Sequence, residues 1–428
     1  MNNLILKNGR VIDPVQNIDA QTDILIHDGK IERIGQIQDD MPKDVQVIDV
    51  TGKWCIPGLV DMHVHLREPG REDKETIETG CMAAVAGGFT AVAAMPNTLP
   101  VNDTAAVTRF ILEKAANAPA KVYPIAAITH NLEGKQLTDM AELVEAGAVG
   151  FSDDGYCVTN GEVLRKALDY SKIFDRIIIE HCEDPQLSKG GVMREGFVCT
   201  TLGFPPIPSL AEEIMVARDI RIAEYTGTRI HIAHVSSKES VRLIREAKDR
   251  GVNVTAEVTP HHLFLNDEEV KSFNTNTKMN PPLGTEEDRK FLEAALLSGV
   301  IDCIATDHAP HTETEKNVEY SYAPNGVIGL ETALPLVMTH LVHTKKMTPQ
   351  QLIRVLSINP CRILGVKGGS LKPGDPADIT VIDPDFFWRV DPNAFFSKSR
   401  NTPFGGLSLR GTSVMTIVDG RVVFRLTE

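Results

Sequence analysis

Hydrophobic and polar positions follow one rule at the two ends of the chain and another between them. Near the N-terminus, short apolar stretches alternate with polar residues and stop at tight-turn dipeptides: Leu4–Lys7 before Asn8-Gly9, and Asp23–His27 before Asp28-Gly29. Those dipeptides supply the positive φ that two-residue hairpins require. The far end repeats the pattern in Asp378–Ile382, Val414–Val418, the pair Asp419-Gly420 and Arg421–Arg425. Two β-rich ends around a different middle predict one small β-sandwich domain built from residues 1–56 and 366–428.

The middle reads as α/β. Eight compact runs rich in Val, Ile and Ala recur: Gly58–His65, Phe89–Asn97, Lys121–Thr129, Ala148–Asp154, Arg176–Asp184, Arg229–Ser237, Asn253–His261 and Val300–His308. Helical periods such as Lys74–Ala86, Ser209–Tyr225, Lys238–Arg250 and Glu286–Leu297 lie between them, and Ser209 with Glu212 has the spacing of a capping box. Buried strands alternating with helices predict a parallel sheet. Eight units suit a closed (β/α)8 TIM barrel over residues 57–365, although the pattern alone also fits an open doubly wound sheet. The polar residues favour the barrel. His63, His65, Asn97, Asp154, His181, His234 and Asp307 all fall near the C-terminal ends of the runs, and a barrel gathers those ends around one mouth.

Composition narrows the surroundings. A formal net charge of −14 argues against nucleic acid or an anionic membrane as the main partner. It does not bear on a small anion, which one arginine can capture locally. Seven scattered cysteines without a C-x-x-C pair suit reduced thiols in a cytoplasm. The N-terminus lacks the apolar core of a signal peptide, and no run reaches the roughly 18 apolar residues of a membrane span. The expectation is a cytoplasmic enzyme.

His63-Val64-His65 carries the sharpest chemical signal. On a strand, residues two apart share a face, so both imidazoles can reach one ion. An isolated H-x-H is as often two polar residues on a half-exposed strand, but this one ends a central apolar run. His181 and His234 end two further runs; each alone reads as a hydrogen-bonded core histidine, and together with the H-x-H they read as ligands. His231 is expected to point elsewhere. Asp307 ends the eighth run, where a carboxylate can bind a metal and exchange a proton with water; its bland reading is a turn or cap residue. Asp153-Asp154-Gly155 is an ordinary turn sequence at a strand end suited to an anionic ligand shared by two ions. Strand alternation lets only one of the two carboxylates point inward. Neutral imidazoles with hard carboxylates suit Zn²⁺, with Mn²⁺ or Co²⁺ as substitutes, and such a centre hydrolyses amide-like bonds.

Other mouth residues predict an anionic substrate. Arg67, two residues past His65 and so on the same strand face, matches a carboxylate bidentately. Asn97 and His311 are further donors, and Asn280 with the Asn325-Gly326 turn lies in loops placed to meet ring amides. The segment between Asp184 and Ser209 reads as an irregular loop over the site.

The runs DMHVHLREPG, GGFTAVAAMPNT, GFSDDG, EHCED, IHIAHVSS, MNPPL and ATDHAPH, with the tail SKSRNTPFGG, resemble those of type I bacterial dihydroorotases of the amidohydrolase superfamily, over nearly the whole chain. The resemblance implies metal ligands at His63, His65, Asp154, His181, His234 and Asp307, with Asp307 also the general acid/base. It implies substrate contacts at Arg67, Asn97, Asn280, His311 and the Asn325-Gly326 backbone. The implied reaction is zinc-dependent, reversible cyclisation of N-carbamoyl-L-aspartate to L-dihydroorotate in de novo pyrimidine synthesis. Many relatives bridge two ions with a carboxylated lysine. Phe151–Thr159 contains no lysine and Asp154 takes that place, so one ion and two are alternatives, with two favoured. Cys182, beside His181, is a candidate thiolate ligand when metal is scarce. A homodimer is expected, and a complex with aspartate carbamoyltransferase fits the resemblance. Two rival readings are a cyclic amidase for allantoin or hydantoin and a non-catalytic scaffold. The first lacks the substrate carboxylate that Arg67 and Asn97 would hold, and the second has no need of a complete ligand set.

Overall fold

The computed structural model describes residues 3–37 and 45–427. Its first strands are β1 (Asn3–Asp13), β2 (Ile18–His27), β3 (Lys30–Gly35), β4 (Val45–Asp49) and β5 (Trp54–Pro57). Eight parallel strands follow, with a two-stranded ribbon inserted among them: β6 (Leu59–Val64), β7 (Phe89–Ala94), β8 (Lys121–Ala126), β9 (Gly150–Ser152), β10 (Ile177–Glu180), the ribbon β11 (Met193–Arg194) and β12 (Pro206–Ile207), then β13 (Ile230–Ile232), β14 (Val254–Val258) and β15 (Cys303–Ile304). The chain closes with β16 (Ile379–Arg389), β17 (Ser408–Val418) and β18 (Arg421–Arg425).

Each of the eight apolar runs read from the sequence holds one barrel strand. The barrel order is β6-β7-β8-β9-β10-β13-β14-β15, and a parallel bridge between Val64 and His308 joins its two edges. Helices including Ile77–Ala86, Leu210–Thr226, Lys238–Asp249 and Glu286–Ser298 cover the outside. Val60, Met62, Ala91, Ala93, Ile125, Ile177 and Ile179 pack together as a small lumen cluster. Leu59, Val64, Val92, Ile178 and Ile232 pack against the helices instead.

Alternation along β6 does not run unbroken. Val60 and Met62 face the lumen, yet Val64 faces the helices, and the pairing with β7 shifts between Asp61 and Val64. An irregularity of this kind re-aims side chains. Here it turns His63 and His65 inward, where a regular strand would have sent Val64.

The terminal strands form one sheet in the order β18-β17-β16-β5-β1-β2-β3, with β4 also on β1. Gly58 alone separates β5 from β6, and a Cβ there would lie 2.2 Å from Thr90 Oγ1. The sheet is fastened to the barrel elsewhere too: Lys121 Nζ donates to Asp378 at 2.7 Å and Asp419 at 2.8 Å, and Thr416 Oγ1 donates to the Val85 carbonyl at 2.6 Å.

Two local expectations fail for identifiable reasons. Asn8-Gly9 is not a hairpin turn: β1 runs straight through it with Asn8 at φ 64 and a shifted register, a bulge rather than a reversal. Asp28-Gly29 and Asp419-Gly420 do turn between paired strands, with φ of 47, 76, 46 and 73. Ser209 makes no side-chain cap. Its presumed partner Glu212 is taken by another element, accepting from the Ser236 and Ser237 amides at 3.2 Å each and from the Ser236 hydroxyl. A buried carboxylate satisfied by three donors outcompetes a cap at a helix end.

Glu212 therefore fixes the segment just after His234. Replacing Glu212 with Ala is expected to cost about 3 kcal/mol by urea unfolding, because buried donors lose their acceptor. Ser209→Ala is expected to change stability by less than about 0.5 kcal/mol. A loss of about 1 kcal/mol in both variants would restore the capping reading.

Candidate metal centre and substrate cleft

The strand ends deliver four imidazoles and two carboxylates to one point at the barrel mouth. His63 Nε2 lies 3.3 Å from Asp154 Oδ1, and His65 Nε2 lies 3.4 Å from Asp154 Oδ2. On the other side, His181 Nδ1 and His234 Nε2 lie 3.7 and 3.5 Å from Asp154 Oδ1 and 2.9 Å from one another. Asp307 Oδ1 sits 3.0 Å from His65 Nε2 and 3.6 Å from His63 Nε2. His63, His65 and Asp154 make one set of donors lying within 4.8 Å of each other, and Asp154, His181 and His234 make a second. Asp154 belongs to both.

The outer nitrogens explain why the inner ones are available. His63 Nδ1 donates to Glu257 Oε1 at 2.6 Å, His65 Nδ1 to Asn97 Oδ1 at 2.8 Å, and His181 Nε2 to Glu183 Oε2 at 2.9 Å. Each contact pins the proton on the outer nitrogen and leaves the inner lone pair facing Asp154, the arrangement that metal-ligating histidines adopt. Two polar atoms at the centre, His63 Nε2 and Asp154 Oδ1, are buried without a hydrogen-bond partner. Orphaned donors of nitrogen and oxygen type around a shared carboxylate fit divalent cations of the Zn²⁺, Mn²⁺ or Co²⁺ kind.

Buried charge is managed by mutual attraction. Burial would raise the Glu257 pKa, but His63 and His231 hold it well below the usual carboxylate range. Burial likewise opposes ionisation of Asp154, and His63, His234 and His65 outweigh it. Asp307 is held below its ordinary value against burial by His65 and His63. Both aspartates are anionic at neutral pH. Arg67, His234 and Asp307 have positive φ of 63, 31 and 49, and such backbone is retained where surrounding contacts dictate a side chain's direction.

A cleft of about 230 Å³ opens above the centre. His65, Arg67, Asn97, Asp154, His181, His234, Asn280, Asp307, His311, Asn325 and Gly326 line it, so the structure brings together every expected site residue except His63, which lies beneath the floor. Several sit there differently from the sequence expectation. Arg67 is past the end of β6, not on its face; its Nε donates to the Pro310 carbonyl at 3.2 Å, and burial lowers its pKa to about 10 without discharging it. Asn97 orients His65. Asn280 Nδ2 donates to Glu183 Oε2 at 2.6 Å. His311 is no free donor: Nε2 donates to the Asn325 carbonyl at 2.8 Å, while Nδ1 lies 3.3 Å from Lys74 Nζ. Burial, with Arg67 and Lys74 adding to it, lowers its pKa to about 3, so His311 is neutral. The Gly326 amide donates to the Lys278 carbonyl at 3.0 Å.

The neighbouring acids separate just past the end of β9, where the chain has left the strand. Asp154 enters the centre, and Asp153 turns back to accept from the Ile128 and Thr129 amides at 2.9 and 3.0 Å. His231 donates to Glu257 and contacts Thr255. Cys182 does not reach the centre: its thiol packs on the helix side and donates to Asp219 Oδ2 at 3.3 Å. The segment after Asp184 is not shapeless, because β11 and β12 pair in it and Arg194 reaches Ser236 and the Pro282 carbonyl. Sequence reasoning missed Glu257 and Glu183. The first had a visible signal, a carboxylate inside the otherwise apolar strand Val254–Val258.

A closed eight-stranded parallel barrel with imidazoles and carboxylates at its C-terminal mouth, coupled to a sheet made from both ends of the chain, is the architecture of the metal-dependent amidohydrolases. Residues 229–424 match a family described as "Amidohydrolase family", and residues 52–240 match "Dihydro-orotase-like". The chain is 53% identical over 423 residues to a dihydroorotase of Syntrophus aciditrophicus, covering 99% of each, and 54% identical over 422 residues to one of Pelotomaculum thermopropionicum, covering 99% and 98%. Among solved structures it superposes on the L-hydantoinase of Arthrobacter aurescens with a TM-score of 0.89 at 26% identity, over 100% of this chain and 98% of that one. The chain belongs to the dihydroorotase family of cyclic amide hydrolases. No helix among the described residues is long and apolar enough to cross a membrane.

Glu257→Gln keeps the size of the side chain and removes the charge that fixes His63. Metal affinity measured by chelator competition is expected to fall roughly 10–100-fold with the far-ultraviolet circular dichroism unchanged. An unchanged affinity would make Glu257 a packing residue only.

Proposed function

We propose that the protein is a dihydroorotase of the type I bacterial class, interconverting N-carbamoyl-L-aspartate and L-dihydroorotate in de novo pyrimidine synthesis. The observation that carries this reading is the combination in one cleft of Asp154 shared by two histidine pairs, Asp307 beside them, and a half-buried, charged Arg67. His63, His65 and Asp307 would hold one Zn²⁺, His181 and His234 a second, with Asp154 between them. When bound, such ions polarise the amide carbonyl and make water nucleophilic near neutral pH.

The chain's own residues do the rest. Arg67 binds the substrate carboxylate, since its Nε is taken by Pro310 and both Nη groups are left for a ligand in the cleft. Asn97, Asn280, His311 and the Asn325-Gly326 backbone shape the remaining wall. In the hydrolytic direction water adds to the ring amide carbonyl carbon and Asp307 accepts its proton. The carbon–nitrogen bond then breaks and Asp307 returns that proton to the departing nitrogen. An anionic Asp307, as its contacts with His65 and His63 dictate, is the form that accepts it. Ring closure is the same sequence reversed. The protein acts in the cytoplasm as a homodimer and can associate with aspartate carbamoyltransferase.

Hydrolysis of L-dihydroorotate, followed by loss of its ultraviolet absorbance, tests the reading. Zinc-loaded protein is expected to turn over, and metal-stripped protein to stop. Asp307→Asn is expected to lose about 10²-fold or more in kcat, and Arg67→Met roughly 10–100-fold in kcat/KM, the loss of a charged hydrogen-bonded contact. Faster turnover of hydantoin or allantoin than of dihydroorotate would replace the substrate assignment. No turnover of any of the three would point to a requirement for the transcarbamoylase.

A further inference from the structure

The tail segment SKSRNTPFGG joins β16 to β17 and contributes no residue to the cleft lining. Its burial alternates: Phe395, Ser397, Ser399 and Asn401 are buried, whereas Phe396 and Lys398 are exposed and Arg400 is half-buried. Residues two apart on extended chain share a face, so one face of this strap is turned into the protein. Phe395 and Phe404 anchor it among Ile328, Leu336, Val390 and Leu409. Between those apolar anchors the inward residues are small and polar. Buried polar side chains are retained where partners meet them, and the partners here are informative.

Each of the three reaches a loop that builds the cleft. The Ser397 hydroxyl donates to Glu75 Oε2 at 2.5 Å and the Lys398 amide to Glu75 Oε1 at 3.0 Å. Glu75 also lies 3.3 Å from Nε2 of His308, the residue after Asp307. The Ser399 hydroxyl donates to the Lys74 carbonyl at 2.7 Å. Asn401 reaches furthest. Its Oδ1 accepts from the His311 amide at 3.1 Å, and its Nδ2 donates to the Ala309 and Gly326 carbonyls at 3.0 Å each. Its own carbonyl accepts from the Ile328 amide at 3.0 Å. One side chain therefore spans both walls of the cleft, the one carrying His311 and the one carrying Gly326.

The chemistry at this position is specific to an amide. One N–H and two carbonyls face the side chain, which requires an acceptor and two donors on one planar group. A carboxylate of the same shape would set an anion against both carbonyls. The walls themselves are in close contact: a Cβ on Gly326 would lie 2.7 Å from the Ala309 carbonyl oxygen and 2.9 Å from the His311 ring. Spacing this tight leaves no slack for a displaced partner. We propose that Asn401 is a positioning residue for substrate binding, fixing the separation of the Ala309–His311 and Asn325–Gly326 walls, so that a strap of the terminal sheet sets how tightly the cleft holds its ligand. Asn401 acts through His311 and Gly326 and touches no reacting group. The inference rests on the proposed function for the identity of the substrate, and on the hydrogen bonds alone for how the walls are held.

Asn401→Asp keeps the shape of the side chain and removes both donors. In zinc-loaded protein, KM for L-dihydroorotate is expected to rise roughly tenfold or more with kcat within about threefold, the pattern of lost substrate binding. Metal content is expected to match the wild type, and Asn393→Asp, at an exposed position just before the strap, to change neither constant. Amide hydrogen exchange without substrate supplies a second readout: the His311 and Ile328 amides are expected to exchange roughly tenfold faster or more in Asn401→Asp, with Val254–Val258 unchanged. Should Asn401→Asp not fold, the smaller, uncharged Asn401→Ser is held to the same outcomes. An unchanged KM, a loss confined to kcat, or unchanged exchange at those amides would overturn the proposal. No turnover by the wild-type protein would remove the substrate assignment alone, and the exchange at His311 and Ile328 would then decide the positioning role.

Discussion

Everything at the barrel mouth depends on one buried anion, the carboxylate of Asp154, on which four imidazoles converge. Taking a carboxylate out of water is expensive unless positive or polar groups replace its hydration. A cation held jointly with the surrounding imidazoles would supply that charge, and the nitrogen that His63, His65 and His181 each present is chosen one layer further out by Glu257, Asn97 and Glu183. The outer layer is itself anchored: Glu257 also takes His231 at 3.1 Å and the His234 amide at 3.2 Å. One strand, β14, thereby sets the tautomer of one ligand and the backbone position of another.

The same constraint explains which parts of the fold could be read in the sequence. Eight apolar runs specify the barrel because each must be buried on two faces, and chemistry-bearing residues at their ends are legible by position alone. The outward or inward direction of a given residue was harder. His63 and His65 face the lumen through an irregularity in β6 that no alternation rule contains. Arg67 reaches the cleft through left-handed backbone and not through the strand. Asn8-Gly9 and Ser209–Glu212 carry the right local residues for a turn and a cap, and longer-range pairing overrides both. Glu257 was legible as an oddity, a charge in a core strand, but its partner was not, because His63 is 194 residues away in sequence.

On the proposed function, the cleft is a site for a small anion built in a chain of negative net charge. Arg67 keeps its charge despite burial, and neutral His311 bridges Lys74 and the Asn325 loop. Lys74 is in turn paired with Glu315 at 2.7 Å. Positive charge is thus concentrated where a substrate carboxylate would lie and is balanced a few ångströms behind.

The short link at Gly58 has a consequence in time. β5, which runs through that residue into the strand bearing His63 and His65, pairs with β1 on one side and β16 on the other. A ribosome makes β16 only after the whole barrel has emerged, so the nascent sheet carries an open edge on β5 throughout synthesis. That edge is a template for mispairing for as long as the last strands are missing, and the lead-in to β6 stays half-supported until they arrive. A nascent chain stalled before residue 379 would hold every candidate site residue and still be waiting for the strand that pairs with β5.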